Sequence, residues 1–175
     1  MGLLFQPRRM ASETTPAPPP PGSAAELLDR TLVFAAALEA VLLGDASRFN
    51  DLFTDDVEFH SPHLGVTSLH AVQSAFGVPE DSLSDVDIVI VALDAIDAKV
   101  IAEWRLDATF SQALLFDDNL LIEPTGGRVQ LRGASVAEFR DVRIAAFRHY
   151  FDDSQLLDDL PGVPDQLRWM SARPR

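Results

Sequence analysis

The hydrophobic pattern of this chain changes period once, and that change restricts the fold more than any other feature. Between Leu27 and Val41 the positions Leu27, Thr31, Phe34, Leu38 and Val41 recur at alternating steps of four and three. Such spacing makes one stripe along a helix. From Val86 onward the period becomes two, in segments rich in β-branched residues, as strands require. Helices first, then a run of neighbouring strands, describe an α+β domain with helices packed on one face of a curved antiparallel sheet.

Local signals place the elements. Ser23-Ala24-Ala25-Glu26 is a capping box, in which serine and glutamate each satisfy a backbone N–H at a helix start. The helix should reach about Leu43, with Gly44 as its C-terminal cap. Leu28, Leu32 and Ala36 form a second apolar face, so this helix is expected to be buried on two sides. A short helix fits residues 46–53, with Phe49, Leu52 and Phe53 inward, and Thr54-Asp55-Asp56 ends it. Residues 57–60 read as a short strand stopped by Pro62. Leu69, Val72 and Phe76 mark a third helix, closed by Gly77 and Pro79. Strands follow over 86–93, 99–110, 128–140 and 143–151, with turns at 94–97 and near Asp141.

Composition narrows the function classes. The chain has 175 residues, of which 47% are hydrophobic, and no cysteine. One domain with a sizeable core is expected, and thiol chemistry and thiolate metal sites are excluded. The net charge is -13, a field that repels nucleic acid and anionic lipid. No apolar run is long enough to span a bilayer. Leu3-Leu4-Phe5 is too short for a signal-peptide core, and Arg8-Arg9 follows it, so a cytoplasmic location is expected. His60, His63 and His70 lack helical metal-ligand spacing, so no metal is expected. Residues 1–22, with Pro18-Pro19-Pro20-Pro21, read as a disordered Pro-rich leader. The domain should span 23–162, followed by a C-terminal tail over 163–175. Trp169 and Met170 in that tail either dock or fray.

Three stretches carry a family resemblance. Gly44-Asp45 with Leu52-Phe53-Thr54-Asp55-Asp56-Val57 is the first, and Pro124-Thr125-Gly126-Gly127-Arg128-Val129 is the second. Arg143-Ile144, Arg148-His149-Tyr150-Phe151-Asp152 and Leu156-Leu157 make the third and most specific. Together they resemble the nuclear-transport-factor-2-like superfamily, closest to SnoaL-like polyketide cyclases and limonene-epoxide-hydrolase-like enzymes. The resemblance implies a cone-shaped fold with a cavity between sheet and helices, a homodimer formed through the sheet, and no cofactor. It implies a hydrophobic, oxygenated small molecule as substrate, and cyclisation, aldol closure or epoxide opening as the reaction. The same fold also hosts non-catalytic small-molecule-binding and dimerisation modules.

The candidate site follows residue by residue. His149 stands where relatives carry a catalytic aspartate. An imidazole with a pKa near ~6.5 can serve as a general base, or His149 is a satisfied core histidine. Arg105-Leu106-Asp107 resembles the arg-x-asp pair of limonene epoxide hydrolases, in which the acid donates a proton and the Arg orients both acids. The alternative is a charge ladder on a solvent face. His60, Ser61 and His63 fall at the pocket rim or in a solvated loop. Phe59, Trp104 and Phe147 are candidate substrate-binding residues, with Trp104 in the cavity wall or the core. Ala37 and Ser61 stand where ketosteroid isomerases carry catalytic Tyr and Asp, which argues against that isomerase. Asp152 and Asp153 are expected to cap the turn after the last strand.

Overall fold

Ser23 starts the first helix: its hydroxyl accepts from the Glu26 N–H at 3.2 Å. Helix α1 runs Ala24–Leu42. The chain leaves it through Gly44, whose φ of 67° suits a residue without Cβ. The computed structural model describes residues 23–76, 83–116, 120–152 and 155, with backbone only at 114–116 and 120–122. The leader at 1–22, Gly77, Pro79, Asp153, Leu156, Leu157 and the 163–175 tail lie outside the described residues.

A 3₁₀ turn over Ala46–Arg48 leads into α2, Phe49–Leu52, and the later helix α3 covers Leu69–Ala75. The strands are β1 (Phe53–His60), β2 (Gly65–Val66), β3 (Leu83–Ile96), β4 (Lys99–Phe110), β5 (Leu114–Phe116), β6 (Leu120–Ile122), β7 (Arg128–Arg140) and β8 (Arg143–Phe151). Six of them form one mixed sheet in the order β2-β1-β8-β7-β4-β3, and β5 pairs with β6 alone. The α+β class and the helix-then-strand order hold. All pairs in the large sheet are antiparallel except β1 with β8, which run parallel.

Two expectations need correction. Leu28 and Leu32 are 59% and 61% exposed, so α1 is buried on one side, not two. Its Phe34, Ala37, Leu38 and Val41 face the core, and its neighbours are the 46–52 segment and strands β3, β4, β7 and β8. The first strand also begins at Phe53, four residues before the expected start. Its register against β8 is irregular until Glu58, which explains why only its last part carries a strand-like pattern.

Bulges decide which side chains enter the core. Phe139 pairs with Ile144 while the adjacent Glu138 pairs with Ala146, so β8 carries one extra residue at Ala145. An extra residue shifts the inward parity of a strand. Ile144, Phe147 and His149 are buried, and Ala145, the extra residue, is part-exposed. Strand β4 keeps strict alternation: Val100, Ala102, Trp104, Leu106, Ala108 and Phe110 all point inward.

Arg30, buried at 7% exposure, ties α1 to the sheet. Its Nη1 donates to the Asp97 carbonyl at 2.6 Å and its Nε to the Asp141 carbonyl at 3.4 Å. Nη2 pairs with Glu26 one helical turn earlier. Asp97 and Asp141 sit in the β3–β4 and β7–β8 turns with φ of 52° and 58°. One guanidinium thus satisfies turn carbonyls from two hairpins. Arg30→Met is expected to lower stability by about 1–3 kcal/mol, because it removes the part-buried hydrogen bonds to both turn carbonyls and the ion pair with Glu26. A urea midpoint equal to that of the unsubstituted protein would contradict this role.

Candidate functional site

The inner face of β7 alternates Val129, Leu131, Gly133, Ser135, Ala137 and Phe139. The two small residues at its middle leave room for larger neighbours on either side. Trp104 of β4 lies opposite Gly133, and a Cβ at Gly133 would stand 2.3 Å from the indole Cζ2 and 2.4 Å from the Tyr150 carbonyl. The indole therefore lies across the backbone of β7 and reaches β8. There it stacks on His149 with centroids 4.9 Å apart and planes 9° apart.

A hydrogen-bonded chain runs through these three strands. Trp104 Nε1–H donates to Ser135 Oγ at 2.9 Å, and Ser135 Oγ lies 2.7 Å from His149 Nδ1. Ser135 is fully buried, and His149 is 3% exposed. Phe147 stacks on the imidazole at 5.9 Å and Phe151 meets it edge-on at 5.0 Å. Burial pushes the His149 pKa down to about 4, because an apolar surrounding disfavours the cation. The ring is neutral at neutral pH. It lies one aromatic ring in from the surface, behind the part-buried Phe151, which faces His63 of the rim loop at 6.1 Å.

The other expected site residues divide between core, rim and outer face. Phe59 and Phe147 are fully buried and stack on one another, with centroids 5.6 Å apart. Trp104 is 1% exposed and belongs to the core. His60 is exposed. Ser61 Oγ accepts from the Leu64 N–H at 3.1 Å, so this side chain holds the rim turn. Asp152 begins a turn in which its carbonyl accepts from Gln155 N–H at 3.2 Å.

Arg105 and Asp107 do not converge with His149. They alternate with Trp104 and Leu106 and so stand on the outer face of the sheet. Arg105 Nε donates to Asp107 Oδ2 at 2.6 Å, and Gln130 Nε2 donates to Asp107 Oδ1 at 2.7 Å. Arg132 Nε continues the ladder to Gln130 Oε1 at 2.9 Å. The Gln130 amide and then the Arg105 guanidinium hold the Asp107 carboxyl below its ordinary value. Asp107 thus stands as an ionised acceptor on the face of the sheet opposite His149.

A groove of about 520 Å³ opens between α1 and β3, its walls mixing Leu38, Leu43, Ile88 and Ile90 with the carboxylates of Glu39 and Asp87. Ile90 is the cross-strand partner of Trp104, so Trp104 separates this groove from His149. Among the described residues no three His, Asp or Glu side chains gather to hold a metal ion. Among them, too, no helix is long and apolar enough to cross a membrane.

The profile of the SnoaL-like domain matches residues 34–147. The chain belongs to the SnoaL-like family. No curated protein matches it. Among solved structures, a candidate SnoaL-like polyketide cyclase from Jannaschia sp. CCS1 superposes with a TM-score of 0.64 at 12% identity, over 81% of this chain and 97% of that one. AclR, a candidate hydroxylase from Streptomyces galilaeus, gives 0.60 at 20% identity over 83% and 91%. An M. tuberculosis LEH-like epoxide hydrolase gives 0.56 at 18% identity over 80% and 95%. These likenesses establish the shared nuclear-transport-factor-2-like fold, an open cone built on a mixed sheet.

Two residues of this SnoaL-like site escaped the reading of the sequence: Gly133 and Ser135. Their signal is the interruption of the apolar alternation of β7 by two small residues, beside the only tryptophan outside the tail.

Two outcomes are expected. Gly133→Ala should cost about 1–3 kcal/mol by overpacking and displace Trp104. An unchanged urea midpoint and near-ultraviolet circular dichroism would refute the close approach. The second concerns pH. The folded pKa of His149 is depressed, so the unfolded chain binds the extra proton between about 6.5 and about 4. The stabilisation from a neutral His149 is complete above that window and is lost as pH falls through it, by about 3 kcal/mol. The stability gap between the protein and His149→Gln should narrow by that amount from pH 7 to 4. A gap independent of pH would exclude a neutral buried imidazole.

Proposed function

We propose that this SnoaL-like domain acts on a hydrophobic, oxygen-bearing small molecule by cofactor-independent acid/base chemistry, with His149 as the acting group. Cyclisation, aldol closure or epoxide opening are the reaction classes in view. The observation that carries this reading is the Trp104–Ser135–His149 chain. It puts an oriented, neutral imidazole among aromatic rings at the last-strand position where the resemblance implies a catalytic carboxylate. The kinship with proteins described as a polyketide cyclase and an epoxide hydrolase supports it. The ligand would enter at the rim where Phe151 meets His63, and an apolar, water-poor surrounding strengthens each polar contact there. A homodimer through the outer face is part of the proposal, supported by the exposed Ile101 and Tyr150 on that face.

A second reading is a non-catalytic binding module. It is favoured by the position of Arg105 and Asp107, which leaves His149 without the acid pair of the epoxide hydrolases. One experiment separates the two. The protein carrying Trp169→Phe is offered an apolar epoxide and a poly-β-ketone, with product formation followed by mass spectrometry and Trp104 fluorescence recorded in parallel. The enzyme reading expects turnover that falls at least about 100-fold in His149→Ala. Turnover indifferent to that substitution would remove His149 from the chemistry. Saturable quenching without product would establish the binding module instead.

A further inference from the structure

We infer that Ser135 and Trp104 are positioning residues that hold His149 in one tautomer, with its proton on Nε2, so that the imidazole meets its ligand as a hydrogen-bond donor. This deepens the reading of His149 as the acting group and rests on it. The indole nitrogen of Trp104 carries one hydrogen and no available lone pair, so it donates to Ser135 Oγ. The serine hydroxyl then has one hydrogen of its own to place. Ser135 is fully buried, and among the described residues its only other side-chain partner is His149 Nδ1 at 2.7 Å. With Nδ1 protonated, the hydroxyl would accept twice and its hydrogen would be a buried donor without an acceptor. With Nδ1 bare, every hydrogen in the chain has an acceptor: indole to hydroxyl, hydroxyl to imidazole. The proton of the neutral ring then sits on Nε2.

Gly133 makes this arrangement possible. Any side chain there would push the indole off β7 and break the first link. The consequence for the ligand is chemical. A donor at Nε2 recognises an acceptor oxygen, such as a carbonyl, ether or epoxide oxygen, and polarises it as charge develops there. A ligand presenting only a hydroxyl or acidic C–H hydrogen to Nε2 would find no lone pair. His149 therefore serves as an electrophilic contact and not as the general base that the ordinary pKa of an imidazole suggested.

The test is long-range ¹H–¹⁵N correlation NMR of the full, uniformly ¹⁵N-labelled chain at pH 7. The His149 signals are identified as those lost in His149→Gln. The expected result is a protonated-type nitrogen shift at Nε2 and an unprotonated-type shift at Nδ1. In Ser135→Ala, with the fold checked by circular dichroism, the two shifts should move toward each other as tautomers mix. A protonated Nδ1 in the unsubstituted protein overturns the inference, and so does a Ser135→Ala spectrum with the same separation. Should Ser135→Ala fail to fold, the unsubstituted protein alone still decides which nitrogen carries the proton. An Nε2–H imidazole in a protein that passes neither the turnover nor the quenching assay supports the positioning and removes only the functional reading.

Discussion

Arg30 is the contact on which the arrangement of helix and sheet depends. A guanidinium buried to this extent is tolerable only where its hydrogens find acceptors. Here the acceptors come from the β3–β4 turn, the β7–β8 turn and the helix itself. The Phe139 N–H adds a direct link between the two hairpins through the Ala98 carbonyl at 2.8 Å. Both turns place an aspartate at positive φ, a conformation that short polar side chains accept more readily than most. The strands leave this end with their relative positions set. Trp104 lies five residues into β4 and His149 six residues into β8, so their stacking inherits that alignment.

Strict alternation along β4 then separates two kinds of polar chemistry. On the inner face, Trp104 and Ser135 surround His149 with few, fully paired groups. On the outer face, Arg105, Asp107, Gln130 and Arg132 form a ladder open to solvent, and Glu138 bridges Lys99 and Arg148 at 3.3 and 2.7 Å. Exposed pairs of this kind contribute little to stability, since water screens them. The sheet therefore isolates His149 electrostatically: the nearest expected carboxylate partner, Asp107, is on the far side of a layer of backbone. That isolation is why desolvation alone governs the imidazole, with no nearby anion to raise its pKa.

The sequence made the fold legible wherever local pattern and burial coincide. The bounds expected for β4, β7 and β8 are those observed, because alternation there is long and regular. It misled where an apolar stripe had no partner to cover it, as at Leu28 and Leu32, and where pairing was irregular, as at the start of β1. For the site, Asp107 and Arg105 carried a family-like motif, yet a motif does not state which face of a strand it occupies relative to a residue 42 positions away. The parity of β8 depends on the bulge at Ala145, which has no glycine or proline to announce it. Arg30 was illegible for a similar reason: its partners are backbone carbonyls 67 and 111 residues distant, and no side-chain pattern encodes those.

The cost of the inner polar chain bears on its purpose. A buried hydroxyl–imidazole pair replaced by apolar groups of the same shape would be close to neutral, or stabilising. The core around it is already aromatic, with Phe34, Phe53, Phe59 and Phe147 packed against one another. Packing alone would be served as well by another ring and a small apolar residue. The histidine also makes the fold more fragile toward acid, through the proton that the unfolded chain gains. A polar chain that packing does not require, and that weakens the protein at low pH, is what the proposed contact between the imidazole edge and a ligand would account for.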